Sequence, residues 1–156
     1  MSQTPLPLFP DSPSEKREPH LLVYTDGASR NNPGDASIGV VIKNNQNEII
    51  ETLSECLGIA TNNKAEYLAL IRALQTARKF NPIKIDFYLD SQLVVRQVLG
   101  QYKVKDAGLI PLCRQAQMLY RQFDQATISH IPRAENFEAD ALANAALDNQ
   151  KKKRIQ

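Results

Sequence analysis

The 156-residue chain has no tryptophan, two cysteines and two histidines. Cys56 and Cys113 stand far apart with no CxxC pairing, which argues against a disulfide framework and a zinc site and suits a reducing compartment. Long apolar runs are missing too. The longest stretch without a charged residue is the first ten residues, and it holds Pro5, Pro7 and Pro10, so no segment is suited to span a membrane. No basic region precedes an apolar stretch at the N-terminus. A secretory signal is therefore not expected, and a cytoplasmic location is.

What is present is an ordinary globular balance, 42% hydrophobic and 23% charged, in a length that suits one domain. The net charge of +2 is unevenly placed. Residues 151–154, Lys-Lys-Lys-Arg, carry +4, whereas residues 1–19 and residues 20–150 each carry −1. A nearly neutral body permits contact with phosphate through a few placed cations or through bound metal. The expected organisation is a disordered proline-rich leader over 1–19, a folded domain over 20–150 and a basic disordered tail over 151–156.

Within the domain the apolar run Leu21 to Thr25 reads as a buried strand. Asn31-Asn32-Pro33-Gly34 marks a turn. Ala36 to Lys43 and Glu48 to Leu57, joined by Asn44 to Asn47, read as a hairpin. Thr61-Asn62-Asn63 opens a helix with Glu66, Leu70, Ala73, Leu74 and Ala77 on one stripe, ended by Asn81-Pro82. A strand covers 83–89, with Ile83, Ile85, Phe87 and Leu89 on one face. Helices are expected over about 92–100, 109–123 and 135–148, with a strand over 126–131 between the last two. The order βββ-α-β-α-α-β-α predicts an α/β fold: a mixed sheet, antiparallel at first and then parallel, flanked by helices.

Four carboxylates stand where carboxylates are disfavoured. Asp26 continues the Leu22, Tyr24 face of an apolar strand, and Glu66 sits on the apolar stripe of its helix. Asp90 ends a buried strand, where open α/β sheets place ligands. Asp140 lies in an alanine-rich helix. Each also has a local reading. Asp26-Gly27 suits a turn, Asn63-x-x-Glu66 a capping box, Asp90 an N-cap, and Asp140 a solvated helix face. As a set they point to hard divalent cations, because four buried carboxylates cannot all stay ionised without one.

The chain resembles type I ribonuclease H over residues 20 to about 149. Five segments carry the resemblance in order: Tyr24 to Ala28 with Asn32-Pro33-Gly34; Thr61 to Glu66; Leu89-Asp90-Ser91-Gln92; Val94 to Arg96; and His130-Ile131-Pro132-Arg133 with Asn136 and Ala139-Asp140. The resemblance implies a five-stranded mixed sheet and an endonuclease that cuts the RNA strand of an RNA–DNA hybrid. It implies two Mg²⁺ ions, with Mn²⁺ as a substitute, held by Asp26, Glu66, Asp90 and Asp140. The products implied are a 5′-phosphate and a 3′-hydroxyl. Gly27, Ala28, Asn32, Thr61, Asn62, Asn63 and Gln92 fall at the family's substrate contacts, and local capping and turn chemistry also accounts for Asn32, Thr61, Asn62 and Asn63. His130 and Arg133 are two candidates for the assisting group near the last aspartate, with Arg133 favoured.

Many bacterial relatives carry a tryptophan-rich basic protrusion before the last strand. The segment Gly100 to Asp106 is too short for one, so the chain is similar to the subgroup without it, and Lys103 and Lys105 become the candidate phosphate contacts. Some relatives in that subgroup also cut double-stranded RNA, which extends the implied substrates. A monomer is the default expectation. The rival readings are a binding protein without catalysis, another nuclease of the wider superfamily, and an α/β domain with decorative acids. The four acids together oppose the first, and Thr61-Asn62-Asn63-x-x-Glu66 with Asp90-Ser91-Gln92 the second. A metal titration separates the third.

Overall fold

The computed structural model describes residues 16–155. Strands β1 (His20–Ser29), β2 (Gly34–Lys43) and β3 (Ile49–Ala60) form an antiparallel meander. Helix α1 (Asn62–Ala77) leads to β4 (Lys84–Leu89). Helices α2 (Gln92–Val98) and α3 (Ile110–Tyr120) lead to β5 (Gln125–His130), and α4 (Phe137–Ile155) follows. The sheet order is β3-β2-β1-β4-β5, with β4 parallel to both β1 and β5. This is the mixed sheet that the element order predicts.

The alternation of β1 sorts its side chains onto two faces. Leu21 and Val23 join Ile85, Phe87 and Leu89 in the main core, under α1, α2 and α3. α1 begins where Thr61, in extended backbone, accepts a hydrogen bond from Lys64 N at 3.2 Å through its hydroxyl, which satisfies a donor that the helix leaves open. Its apolar stripe, Leu70, Ala73, Leu74 and Ala77, is fully buried. α4 packs on the opposite face. There the Ser37 hydroxyl donates to Ala143 O and the Ser54 hydroxyl to Leu142 O, each at 2.6 Å. A Cβ at Gly39 would overlap the carbonyl of Ala139, so only glycine admits the helix this close.

Several boundaries differ from the sequence expectation. α4 starts at Phe137, after a 3-10 turn over Arg133–Asn136, and continues through Ile155. Residues 151–155, expected as a disordered tail, are thus helical. Lysine and arginine are good helix formers, cations suit a helix C-terminus, and the Arg154 guanidinium holds Asp35 at 2.9 Å. The first 15 residues of the expected leader lie outside the described residues. Its end is not loose: Arg17 donates to Asn81 O, Pro82 O and Asp124, the last at 2.6 Å, and Ile83 N donates to Glu18 O. Ile83 precedes β4 and is exposed rather than buried. The connector from Leu99 to Leu109 carries no helix, so no protrusion stands before β5. No helix among the described residues is long and apolar enough to cross a membrane.

Candidate active site

The parallel register pairs Thr25 with Leu89, so Asp26 and Asp90 follow side by side just where the pairing of β1 with β4 ends. Glu66 reaches them from α1 because β1 runs against that helix. A Cβ at Gly27 would overlap the backbone of Ala65 and Glu66. With glycine there, the Gly27 amide donates to Glu66 Oε1 at 2.8 Å. Glu66 is therefore held by a strand amide and is not the closing residue of a capping box. The cap of α1 is Thr61, and that of α2 is Ser91 rather than Asp90. Asp26-Gly27 is continuous strand, not a turn.

One carboxylate oxygen from each of Asp26, Glu66 and Asp90 lies within 4.8 Å of the other two. Asp140, half-buried on α4, lines the same cleft beside the Asp26 carboxyl. Burial pushes the Asp26 pKa far above the ordinary carboxylate range, and the Glu66, Asp90 and Asp140 carboxyls push it further. Burial also raises Glu66, against the opposing influence of the neighbouring Asp26 carboxyl and the Gly27 amide. The second Glu66 oxygen, Oε2, is buried with no hydrogen-bond partner. Converging oxygens, suppressed ionisation and an orphaned carboxylate oxygen together fit a hard divalent cation, which would relieve all three.

The cleft measures about 480 Å³. Of the residues that the sequence singles out, the structure gathers Asp26, Gly27, Ala28, Asn62, Asn63, Glu66, Asp90, Arg133 and Asp140 along it. Asn32 and Thr61 serve the local turn. Asn32 Oδ1 accepts from Asn62 N at 2.9 Å, and Asn62 Oδ1 accepts from Ser29 N at 2.9 Å. Arg133 projects into solvent with its guanidinium 3.5 Å from the Asp140 carboxylate. His130 ends β5, exposed and outside the cleft lining. Gln92 is exposed at the start of α2. Lys105 is exposed, and Lys103 borders a different groove beside Tyr102 and Arg114.

Ser91, from the Leu89 to Gln92 segment, also lines the cleft, as do Ser29, Arg30 and Asn144, which were not anticipated. Asn144 sits four residues after Asp140, one turn along the same helix face, which is the signal that could have found it. Asn136, 1% exposed, donates from its amide to Thr25 O at 2.8 Å and so ties the turn before α4 to the strand just ahead of Asp26. Its place in the last motif segment was visible, but nothing in the periodicity marked it as buried.

A family profile described as reverse transcriptase-like matches residues 24–146. The chain is 45% identical over 126 residues to a protein named Ribonuclease HI from Halobacterium salinarum, covering 81% of this chain and 63% of that relative. The crystal structure of RNase H1 from Halobacterium salinarum superimposes with a TM-score of 0.81 at 44% identity, covering 83% of this chain and 98% of the other. LC11-RNase H1, solved in complex with an RNA/DNA hybrid, matches with a TM-score of 0.79 at 38% identity, covering 83% and 98%. The chain belongs to the ribonuclease H family.

Proposed function

From that membership, we propose that the chain is a metal-dependent endonuclease that hydrolyses the RNA strand of an RNA–DNA hybrid. The observation that carries the reading is the convergence of Asp26, Glu66 and Asp90, with Glu66 Oε2 unpartnered, along an open cleft. The proposal takes the cations as Mg²⁺, two of them, with Mn²⁺ able to substitute. Bound there, they would supply Lewis-acid activation of the attacking water and neutralise charge in the transition state.

The chain's own groups do the rest. Asp26, Glu66, Asp90 and Asp140 are the ligand set. The Gly27 amide fixes one Glu66 oxygen and leaves the other without a hydrogen-bond partner. Asn62 and Asn63 present amides along the cleft wall, the chemistry that meets a 2′-hydroxyl and so separates RNA from DNA. Arg133, exposed beside Asp140, is placed to attract a phosphate and to assist departure of the product. The products assigned are a 5′-phosphate and a 3′-hydroxyl.

Cleavage of end-labelled RNA–DNA hybrid, double-stranded RNA and double-stranded DNA with Mg²⁺ or Mn²⁺, beside Asp26→Asn, tests the reading. Hybrid cleavage that the variant lacks is the expected result. Cutting of double-stranded RNA would add a second substrate, since the connector without a protrusion leaves a less selective surface. A folded protein that cuts none of them with either metal would overturn the proposal.

A further inference from the structure

The C-terminal part of α4 has no task in the site described, yet it is built onto it. At about 100° per residue, Asn144, Leu147, Lys151 and Arg154 fall within about 40° of Asp140 around the helix, whereas Lys152 and Lys153 lie about 120° and 140° away. The structure agrees with this sorting. Lys151 and Arg154 border a groove of about 330 Å³ with Arg30 and Asn31, while Lys153 borders a separate groove beside Ser54 and Cys56. Arg30 also lines the carboxylate cleft, so the basic groove is that cleft continued.

The cations of the groove are not equivalent. Arg30 is held by Asp148 at 2.8 Å and Arg154 by Asp35 at 2.9 Å, which fixes both guanidinium groups along the wall. Lys151 is exposed, with no carboxylate partner among the described residues. We propose that the Lys151 face of α4, joined to the cleft through Arg30, is a rim that binds the phosphate backbone of the nucleic acid lying in the cleft, beyond the scissile phosphate. This rests on the nuclease reading. Two observations select a nucleic-acid backbone as the occupant. The rim is continuous with a cleft fitted for phosphodiester chemistry, and its unpaired charge is positive. From Asp140 to Lys151 the helix rises about 16 Å, a span of about five base-pair steps of a duplex. The rim therefore acts on long substrates and not on the reacting phosphate.

The test is equilibrium binding of a fluorescein-labelled hybrid of 20 base pairs to the full chain, followed by anisotropy across a salt series with Mg²⁺ present. Asp26→Asn serves as the parent, to prevent cleavage. Adding Lys151→Ala is expected to weaken binding about three- to five-fold near 0.1 M salt and to reduce the slope of log K against log salt by about one. Lys152→Ala and Lys153→Ala remove the same charge from the other faces and are expected to leave both quantities nearly unchanged. Equal losses from all three lysines would overturn the rim in favour of diffuse attraction by a charged helix end. A Lys151→Ala variant that binds like its parent would also overturn it. Cleavage by the unaltered chain is scored separately. A chain that cuts the hybrid while Lys151→Ala changes nothing loses only the rim, whereas a chain that neither binds nor cuts loses both readings.

Discussion

The two faces of the sheet are fastened by different physics. Under α1, α2 and α3 the contact is apolar volume: Leu21, Val23, Leu70, Leu74, Ile85 and Phe87, all fully buried in one cluster. Under α4 the contact is small and polar. Gly39 meets the Ala139 carbonyl, and hydroxyls of Ser37 and Ser54 donate to the helix backbone. Apolar packing tolerates a repacked neighbour, because dispersion and burial are non-directional. A backbone-to-backbone approach with hydrogen bonds does not. The difference teaches which face stores stability and which sets position. α4 carries Asp140, and this polar seat sets where that carboxyl stands beside Asp26, just as the close approach at Gly27 sets Glu66 on α1.

The strongest way to sharpen the contrast is Asp26→Asn. Cleavage is expected to fall by about 1,000-fold or more, since the residue links the other acids. Stability of the metal-free protein should move the other way. Asp26 and Glu66 have folded pKa values raised above their unfolded ones, so their protonated forms favour folding. That stability is full below the ordinary carboxylate values of 3.8 and 4.5 and is lost as pH rises through neutrality. Thermal melts in EDTA should show the wild-type Tm falling from pH 5 to pH 8, and the variant melting several degrees higher at pH 8. A destabilised variant would show the carboxylates to be structural.

On the apolar face, Leu70→Ala should cost about 3 kcal/mol of stability in a denaturant titration. The cleavage rate of the folded fraction, measured well below Tm, should stay within about two-fold, because a cavity under α1 is filled by local relaxation. A collapse in rate instead would mean that α1 transmits core strain to Glu66, and the two faces would not be separable. Gly39→Ala reverses the proportions. Its Cβ would overlap the Ala139 carbonyl and push α4 off the sheet, costing about 2 kcal/mol by overpacking. The same shift displaces Asp140, and cleavage should drop by about 10- to 100-fold, more than the stability change explains.

How much of this was legible follows the same division. The apolar face announces itself: Leu70 and Leu74 at helical spacing, Ile85, Phe87 and Leu89 at strand spacing. Glu66 was visible because it interrupts that stripe, as Asp26 interrupts a strand. α4 was harder. Of its buried positions Ala139, Ala143, Ala146 and Leu147, three are alanines and give almost no amphipathic signal, so neither its continuation to Ile155 nor its seat on Ser37 could be read from periodicity. The Gly27 amide on Glu66 was hidden for a similar reason. A main-chain donor has no residue type, and the local pattern Asn63-x-x-Glu66 suggested a capping box. Arg133 and His130 were separable only in three dimensions, since Pro132 and the 3-10 turn after it carry the chain from the edge of β5 back to Asp140.

Ser37→Ala is the smallest of these changes, and the one that isolates position from bulk. It removes a hydroxyl and leaves the helix in place. The Ala143 carbonyl lies within α4, where the helix ladder offers it a backbone donor, so losing the hydroxyl does not orphan it. The stability cost should therefore be about 1 kcal/mol, or about 2–4 °C in Tm. If the hydroxyl merely adds adhesion, cleavage will be unaffected. If the polar seat sets the register of α4, cleavage will fall by about three- to five-fold, and Ser37→Thr, which keeps the donor, will restore most of the rate. A loss of rate in Ser37→Ala without that recovery would place the effect in packing, and the distinction between the two faces would then be one of degree.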